Sequence, residues 1–553
     1  MAGLCEGGNE PPGSLNAILT VKRVLKEPCI IPPLQQDGCQ YASDNEKCEI
    51  FADTSQASFI PNPIKNKEFN EEIELFPNNY PSAPLPVNFT SPNEIHSIIQ
   101  KLPTKKSPGY DLIPNFVLKY LTRKALANLA SLFNALLRLE YFPDTWKHAV
   151  IIVIHKPGKP ASNPTSYCPI SLLSTISKVF EKVLLKRLDT FLLQASILPP
   201  YQFGFRRNHS TNHQGLRITE QIAQGFENKE QTAVSFLDFT QAFDRVWHKG
   251  LRYKLHKSGV PDYLCNIMTS FLSNRTFSVR VGCTHSSVRP ISAGVPQGSI
   301  LGPILFNVYT SDIPATPTAQ IAMYADDTAI YATHHNINIA SNHLQEALNI
   351  ICPWIENWRI ALNYNKCEAM IFTLCRPANP PCINLSTNVI PWKPKDEAVK
   401  YLGVHLDRRL SWKHHINNKL KLAYSRLAKL YPLLNKKSSL KLQNCMLLYR
   451  SLLRPLLLYA CPVWGGAAIS EIKHIQSFQN KVLRISLNSP WFVRNSQLHR
   501  ETGIDTIKQF IHSQAKKFYD NLENVPGAVH YSLGKKSTFP TRIKSQLPMD
   551  LIL

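Results

Sequence analysis

Two adjacent aspartates, Asp326 and Asp327, lie between apolar segments in the stretch IAMYADDTAIYA, residues 321–332. The apolar residues on both sides predict two buried strands joined by a hairpin turn that carries the carboxylates. Asp-Asp pairs also occur in ordinary turns, where they accept backbone hydrogen bonds, and that role is the alternative. Two like charges in an apolar setting repel each other and are poorly solvated, so bound divalent cations would relieve them. The pair therefore favours a fold that presents carboxylates at a strand end.

A third carboxylate, Asp238, lies in TAVSFLDFTQAFDRVWH. The pattern predicts a strand over Thr232–Phe239 and a helix over Thr240–His248, with Asp238 at the strand end or as a simple helix cap. Three carboxylates on adjacent strand ends would suit two Mg²⁺ ions, which prefer oxygen ligands and share them with phosphates. Two such ions can stabilise both the attacking and the leaving oxygen of a phosphoryl displacement.

The charge balance indicates a polyanionic partner. Lys and Arg number 62 against 39 Asp and Glu, a formal net charge of +23. Nucleic acid is the leading candidate and an anionic membrane surface is the alternative. The stretch Arg408–Ser470 contains no Asp or Glu but many Lys and Arg residues, on segments with helical spacing of Ile and Leu. A solvated face is the simpler explanation, but such faces normally mix signs, so a phosphate-binding track is favoured.

The cysteines and the N-terminus bear on the compartment. The 13 cysteines are scattered without a C-x-x-C pair, which fits a reducing environment. We find no signal-peptide pattern and no apolar run of about 18 residues. We therefore expect an intracellular protein of the nucleus, the cytoplasm or both, neither secreted nor membrane-bound.

Helical and strand patterns alternate along most of the chain. Residues 1–90 are rich in Pro and Asn, which predicts a poorly ordered lead-in. A folded region begins at Ser91, a predicted helix cap. The alternation that follows indicates an α/β protein. With 553 residues, two or three subdomains are expected, because single cores rarely exceed roughly 250–300 residues.

Nine motifs in order give the chain a family resemblance. They are KKSPGYDLIP (105–114), IHKPGKP (154–160), SYCPISLLSTISKVFEKVL (166–184), QFGFRRNHST (202–211), LDFTQAFD (237–244), SAGVPQGSILGPILFNVYTSDIP (292–314), YADD (324–327), WRIALNYNKCEAMIF (358–372) and VKYLGVHLD (399–407). The set resembles the reverse transcriptases of non-LTR, LINE-type retrotransposons, nearest to Jockey-type elements, over residues 91–480.

The resemblance implies a right-hand polymerase fold, α/β with an α+β palm. It places the fingers at 91–230, the palm at 231–407, a basic helical thumb at 408–480 and a helical C-terminal tail at 481–553, with the reverse transcriptase domain over about 135–407. The implied activity is RNA-directed DNA polymerisation by two-metal nucleotidyl transfer, with Mg²⁺, or Mn²⁺ as an alternative. The implied partners are an RNA template, a DNA primer, their hybrid and dNTPs.

Individual roles also follow from the resemblance. Asp238, Asp326, Asp327 and the backbone carbonyl of Phe239 would bind the metals, and Lys366 would be the general acid, with a surface lysine as its alternative. Phe243 would exclude a ribose 2′-OH, with a core aromatic as its alternative. Lys156 and Lys159 would contact the triphosphate, and Gln297 and Gly298 would contact the nucleotide. The primer end would be contacted by Tyr401, Leu402 and Gly403.

Two departures from the family keep a second hypothesis open. Cys168 stands where the family usually has an Arg that contacts the triphosphate, and Cys cannot replace a bidentate guanidinium. The chain also shows neither the N-terminal endonuclease of complete elements nor an RNase H-like carboxylate set, so a partial copy is expected. A weakened or co-opted copy that binds RNA or a hybrid is therefore the alternative. Mobile-intron-type reverse transcriptases are a third, less favoured interpretation.

Overall fold

The computed structural model describes residues 31–77, 86–375, 380–522 and 525 of the chain. Within these residues the strands are β1 (Leu34–Gln36), β2 (Cys39–Tyr41), β3 (His148–His155), β4 (Tyr167–Leu172), β5 (Gln231–Leu237), β6 (Arg275–Val281), β7 (Thr284–His285), β8 (Arg289–Ile291), β9 (Gln320–Tyr324), β10 (Asp327–His334), β11 (Glu368–Phe372), β12 (Ile383–Leu385), β13 (Asn388–Ile390), β14 (Ala398–Tyr401) and β15 (Val404–Asp407).

The α-helices of the same residues are α1 (Asp44–Ser58), α2 (Lys67–Glu74), α3 (Pro92–Gln100), α4 (Asn115–Leu118), α5 (Arg123–Leu139), α6 (Thr175–Gln194), α7 (Thr211–Glu227), α8 (His248–Lys257), α9 (Asp262–Leu272), α10 (Gly302–Tyr309), α11 (Ile337–Asn357), α12 (Lys413–Leu434), α13 (Leu442–Leu448), α14 (Arg454–Leu457), α15 (Cys461–Trp464), α16 (Ile469–Leu487), α17 (Asn495–Thr502) and α18 (Ile507–Asp520). The mixture agrees with the predicted α/β class. None of the helices in these residues is both long and apolar enough to cross a bilayer.

The first large sheet has the strand order β4-β3-β6-β7, with β8 paired to the other end of β6. β3 is antiparallel to β4 and parallel to β6, so that Ile152 lies opposite Arg280. Strands β6 to β8 thus share a sheet with β3 and β4, which lie in the predicted fingers region, although residues 275–291 fall within the predicted palm. The sequence does not reveal a pairing between strands so far apart along the chain.

The N-terminal segment packs on this first sheet. Helix α1 begins with a capping box in which Ser43 and Glu46 bind each other's backbone N–H. Its Phe51, fully buried, joins the core formed by β3 and β6, and the carbonyl of Phe59 accepts hydrogen bonds from the N–H groups of Ser292 and Ala293, at 3.1 and 2.9 Å. The predicted poorly ordered lead-in is therefore wrong for residues 34–74, although residues 1–30 and 78–85 lie outside the described part.

The second large sheet is fully antiparallel, in the order β11-β5-β10-β9. Successive residues of β5 enter different cores: Ala233 joins the core that contains helix α11, and Val234 joins the core that contains α7. The sheet is thus covered on both faces, which explains why its strands are nearly continuous apolar runs.

The segment after β5 is a turn rather than a helix. Helix α8 begins at His248, so the predicted helix over Thr240–His248 is wrong. The carbonyls of Phe243 and Val246 instead accept hydrogen bonds from the N–H groups of Val295 and Gly294, both at 2.8 Å. This pairing with a distant segment replaces the hydrogen bonds of a local helix.

The C-terminal helices α12 to α18 continue the core of the second sheet. The buried stripe of α12 includes Ile416, Ala423, Leu427 and Leu430, and it joins one apolar core with α16, α18 and α7. Helices α17 and α18 lie within the predicted helical C-terminal tail, residues 481–553. Residues 523–524 and 526–553 lie outside the described part.

Candidate active site

Antiparallel register places the carboxylates on neighbouring strand ends. Leu237, the last residue of β5, lies opposite Thr328 of β10. Because the strands are antiparallel, Asp238, which follows Leu237, lies opposite Asp327, which precedes Thr328. Asp327 also pairs with Tyr324 across the hairpin, which leaves Ala325 and Asp326 as a two-residue loop. The three aspartates predicted as a unit are therefore brought to one edge of the second sheet.

The pKa values of the hairpin carboxyls reflect this proximity. Burial raises the pKa of Asp327 to about 6, aided by repulsion from Asp326 and Asp238 and opposed by Lys400. Burial also raises the pKa of Asp326, with repulsion from Asp238 adding to it and Lys366 opposing it. Asp327 is nevertheless exposed to solvent. The edge therefore concentrates negative charge that a cation would stabilise.

Lys366 partly neutralises this edge. Its Nζ donates to Oδ2 of Asp238 at 3.1 Å, and the Asp238 carbonyl accepts from the N–H of Asn363 at 2.8 Å. Among residues 31–77, 86–375 and 380–522, no three His, Cys, Asp or Glu side chains are spaced as a ready metal site. The oxygen donors nevertheless have the hard-ligand chemistry that Mg²⁺ prefers. Phe239, whose carbonyl was predicted as a ligand, is buried and bridges to Leu362.

The turn that carries Gln297 and Gly298 lies against β4. The carbonyl of Gln297 accepts from the N–H of Ser171 at 2.9 Å. Gly298 has a φ of +123°, and a Cβ there would lie 2.4 Å from the Ser171 carbonyl oxygen. Only glycine fits this position without displacing β4. The two residues predicted to contact the nucleotide are thus held closely against β4.

Cys168 and Lys156 lie near this turn, around a buried carboxyl. Asp244, 4% exposed, accepts from Gln297 Nε2 at 2.8 Å, and burial raises its pKa to about 7, with that hydrogen bond and then Lys156 and Arg245 opposing the shift. The Cys168 thiol faces Oε1 of Gln297 at 3.9 Å. Burial and then Asp244 raise the pKa of that thiol, so it is neutral.

The remaining predicted contacts differ in how they lie. Phe243 is half-buried and stacks on Phe306 with ring centroids 4.4 Å apart, so it is a packing aromatic that keeps part of its surface exposed. Lys159 is exposed on the turn that follows β3. No described contact brings it to the carboxylates.

The hairpin of β14 and β15 carries the predicted primer-end residues. Its two-residue turn, Leu402 and Gly403, has φ values of +46° and +80°, as in the type I′ turns favoured in hairpins. Lys419 of α12 donates to the Gly403 carbonyl at 3.3 Å. Tyr401, by contrast, is 5% exposed and its hydroxyl donates to the Ala322 carbonyl at 3.4 Å. Tyr401 is therefore buried, whereas Leu402 and Gly403 of the turn are half-buried.

Three buried polar side chains around the site were not assigned a role from the sequence. Gln202 bonds the backbone of Ala325 in the hairpin loop. Asp244 holds Gln297. Glu181, fully buried, accepts from the N–H groups of Ile300 and Leu301 at 2.7 and 3.3 Å. Each lies inside a motif quoted above, but only their contacts in three dimensions distinguish them from neighbouring residues.

Comparison with known proteins decides the family. Residues 154–406 match the family described as reverse transcriptase (RNA-dependent DNA polymerase). The chain is 36% identical over 537 residues to "Probable RNA-directed DNA polymerase from transposon X-element" of Drosophila melanogaster, covering 96% of this chain and 58% of that protein. The chain contains a reverse transcriptase domain of the non-LTR retrotransposon kind. This domain implies the right-hand polymerase fold.

Two further relatives agree with this family assignment. The chain is 37% identical over 533 residues to "Probable RNA-directed DNA polymerase from transposon BS", covering 94% of this chain and 58% of that protein. It is 37% identical over 522 residues to "RNA-directed DNA polymerase from mobile element jockey", covering 92% of this chain and 56% of that protein. Both are from Drosophila melanogaster. The chain thus spans rather more than half the length of these relatives.

Proposed function

We propose that this chain is an RNA-directed DNA polymerase that extends a DNA primer on an RNA template. One observation carries the proposal: the pairing of β5 with β10 brings Asp238 to the hairpin carboxylates Asp326 and Asp327. A chain that only bound nucleic acid would have no use for three carboxylates at one edge, because they repel a phosphate backbone.

The proposed hand follows the two sheets. The first sheet with the helices around it would be the fingers, and the second sheet the palm. The thumb would begin at α12 and extend to about residue 480, followed by the C-terminal tail with α17 and α18. The acid-free segment from Arg408 would face the hybrid, since phosphate contacts of Lys and Arg position a duplex without reading its sequence. Its exposed cations include Arg409, Lys413, Lys421 and Lys429.

Divalent metal would be held by Asp238, Asp326 and Asp327, together with the carbonyl of Phe239. Bound Mg²⁺ or Mn²⁺ supplies charge stabilisation of the attacking and leaving oxygens of phosphoryl transfer. The carboxylates fit such ions because burial, and then repulsion between the aspartates, raises the pKa of both hairpin carboxyls, and a bound cation would offset both effects.

Neighbouring side chains would handle the nucleotide. Lys366, already within reach of Asp238, would donate a proton to the departing pyrophosphate. Lys156 and Lys159 would bind the triphosphate, and Gln297 and Gly298 would lie against the nucleotide. Phe243 would exclude a ribose 2′-OH by the bulk of its ring, which its stacking on Phe306 holds in place.

Primer extension tests the proposal. Purified full-length chain is mixed with an RNA template, an annealed DNA primer, dNTPs and Mg²⁺, and elongated primer is measured on a gel. We expect extension that disappears in the double variant Asp326→Asn plus Asp327→Asn, while affinity for the hybrid is retained. Extension that survives in this variant would refute the site assignment.

A matched control separates charge from position. Glu71 and Glu72 are adjacent exposed acids on α2, so Glu71→Gln plus Glu72→Gln changes the net charge by the same amount far from the carboxylates. This control should extend the primer as the unsubstituted chain does. If it loses activity equally, the loss in the aspartate variant reflects net charge or folding.

A second candidate function is a co-opted copy that binds RNA or a hybrid without polymerising. The neutral thiol of Cys168 favours it, because a thiol facing Gln297 cannot bind a triphosphate as a guanidinium would. Restoring the cation with Cys168→Arg discriminates between the two. If neither form extends a primer and both bind the hybrid, the binding function is correct.

Residence in the nucleus or cytoplasm remains part of this proposal. A fluorescently tagged chain that enters the secretory pathway would contradict it.

A further inference from the structure

A buried amide grips the turn that carries the hairpin aspartates. Gln202, 1% exposed, precedes α7 and lies beside β9. Its Oε1 accepts from the N–H of Ala325 at 2.9 Å, and its Nε2 donates to the carbonyl of the same residue at 3.2 Å. One side chain therefore satisfies both backbone groups of the residue that immediately precedes Asp326.

The gripped residue has an unfavourable backbone. Ala325 has a φ of +59°, in the left-handed region that residues with a Cβ avoid. The loop has two residues, and a hairpin turn with positive φ at its first position normally has glycine there. An outside contact is needed to hold alanine in this conformation, and the Gln202 amide provides it.

Residues 201–204, which include Gln202, are themselves fixed by three hydrogen bonds of backbone N–H groups. The N–H of Phe203 donates to the Met323 carbonyl, and the N–H of Met323 donates to the Tyr201 carbonyl, both at 2.9 Å. The N–H of Gly204 donates to Gln202 Oε1 at 2.8 Å. A Cβ on Gly204 would lie 2.1 Å from the Ala325 nitrogen, so only glycine allows this approach.

The same segment reaches the helix that follows the nucleotide-side turn. Asn307, fully buried in α10, donates from Nδ2 to the Gly204 carbonyl at 2.8 Å. Helix α10 begins at Gly302, a few residues after Gln297 and Gly298. Buried hydrogen bonds therefore run from the hairpin loop through Gln202 and Gly204 to Asn307 in this helix.

We propose that Gln202 is a positioning residue that holds Ala325 in its left-handed conformation, so that Asp326 and Asp327 present their carboxylates together to divalent metal. This inference rests on the proposed polymerase function and adds a residue that touches neither substrate nor metal. The amide is suited to the task because it is uncharged and offers a donor and an acceptor on one planar group. Leucine has a similar volume but neither group.

Two buried amides allow a matched comparison. Gln479, also 1% exposed, donates from Nε2 to the Tyr449 hydroxyl at 2.9 Å and to the Asp505 carbonyl at 3.0 Å, within the C-terminal helices. Gln202→Leu and Gln479→Leu each remove a satisfied buried amide, but only the first acts on the hairpin loop. Thermal unfolding reports the general loss of stability in both.

The decisive measurement is the affinity of the full-length chain for Mn²⁺ alone. Electron paramagnetic resonance of the free ion monitors this binding. Loss of a residue that orients metal ligands typically weakens metal affinity or activity about 10- to 100-fold. We expect Gln202→Leu to weaken Mn²⁺ binding and to lower kcat for primer extension in that range, with affinity for the hybrid unchanged. Gln479→Leu should keep the Mn²⁺ affinity and kcat of the unsubstituted chain.

A rescue variant tests the role of the backbone. Glycine adopts the left-handed conformation freely, so Ala325→Gly should restore part of the Mn²⁺ affinity when added to Gln202→Leu. No recovery in the double variant would overturn the proposal. Equal Mn²⁺ affinities in Gln202→Leu and Gln479→Leu would also overturn it.

The outcomes separate this inference from the proposed function. If the unsubstituted chain does not extend primers but Gln202→Leu still weakens Mn²⁺ binding, polymerase activity is refuted and the positioning role stands. If the chain extends primers and Gln202→Leu retains full Mn²⁺ affinity, the positioning role is refuted and the polymerase stands.

Discussion

Asp244 gives a prediction whose size can be worked from its surroundings. This buried carboxyl is bonded by Gln297 and has Lys156, Arg245 and Cys168 nearby, and burial raises its pKa from 3.8 to about 7. The folded chain therefore holds a proton that the unfolded chain releases above pH 3.8. Between that pH and about 7, the free energy of unfolding falls by roughly 1.4 kcal/mol per pH unit because of this group, and it changes no further at higher pH.

Asp244→Asn removes this dependence. The asparagine stays neutral at every pH, and its amide oxygen can still accept from Gln297 Nε2. From pH 5 to pH 8 the unsubstituted chain should lose about 3 kcal/mol more than the variant, the part of the whole penalty of about 4 kcal/mol that falls in this interval. The other titrating groups contribute alike to both chains.

Urea titration followed by tryptophan fluorescence, at pH 5 and at pH 8, measures this difference in apparent free energy of unfolding. Glu72→Gln, an exposed substitution on α2, serves as the control and should follow the unsubstituted chain. If Asp244→Asn loses as much stability over this interval as the control, Asp244 is not a protonated buried acid and the reasoning is refuted.

Three further substitutions probe the nucleotide side of the site in single-nucleotide incorporation assays. Phe243→Ala should raise the kcat/KM for ribonucleotides relative to deoxynucleotides about 10-fold or more, because the bulk facing the 2′ position is lost; an unchanged ratio would contradict this role. Cys168→Arg should lower the KM for dNTPs about 10-fold by adding a bidentate phosphate ligand beside Asp244, and a KM that does not fall would count against it. Gly298→Ala should lower kcat/KM more than 10-fold, since its Cβ would lie 2.4 Å from the Ser171 carbonyl oxygen; normal incorporation would show that β4 yields without effect on the nucleotide.

Local patterns in the sequence predicted the parts of the site that local structure builds. The apolar arms around Asp326 and Asp327 form the predicted hairpin, and the strand before Asp238 ends at Leu237, two residues before its predicted end at Phe239. Whether Asp238 lies beside the hairpin aspartates depends only on which strands pair. The order of the family motifs made that pairing predictable.

Contacts between distant segments account for what the sequence did not reveal. Helix α1 is mostly polar, DNEKCEIFADTSQAS. Its few apolar residues are recognisable as core residues only from their packing against β6. The sequence after Asp238 predicts a helix, but its carbonyls accept hydrogen bonds from the N–H groups of Gly294 and Val295. Tyr401 was placed at the primer end by resemblance, but its ring is buried against Phe236.

The parallel pairing of β3 with β6 has a consequence for synthesis on the ribosome. Ile152 of β3 can pair only after Arg280 of β6 has been synthesised, about 130 residues later. Synthesis of these residues takes roughly 7 to 25 s at ordinary elongation rates. During that interval β4 can cover one edge of β3, while the other remains open to any strand in reach. A nascent chain of this kind is most exposed to aggregation in that window, and chaperones that bind extended apolar segments would have most effect there.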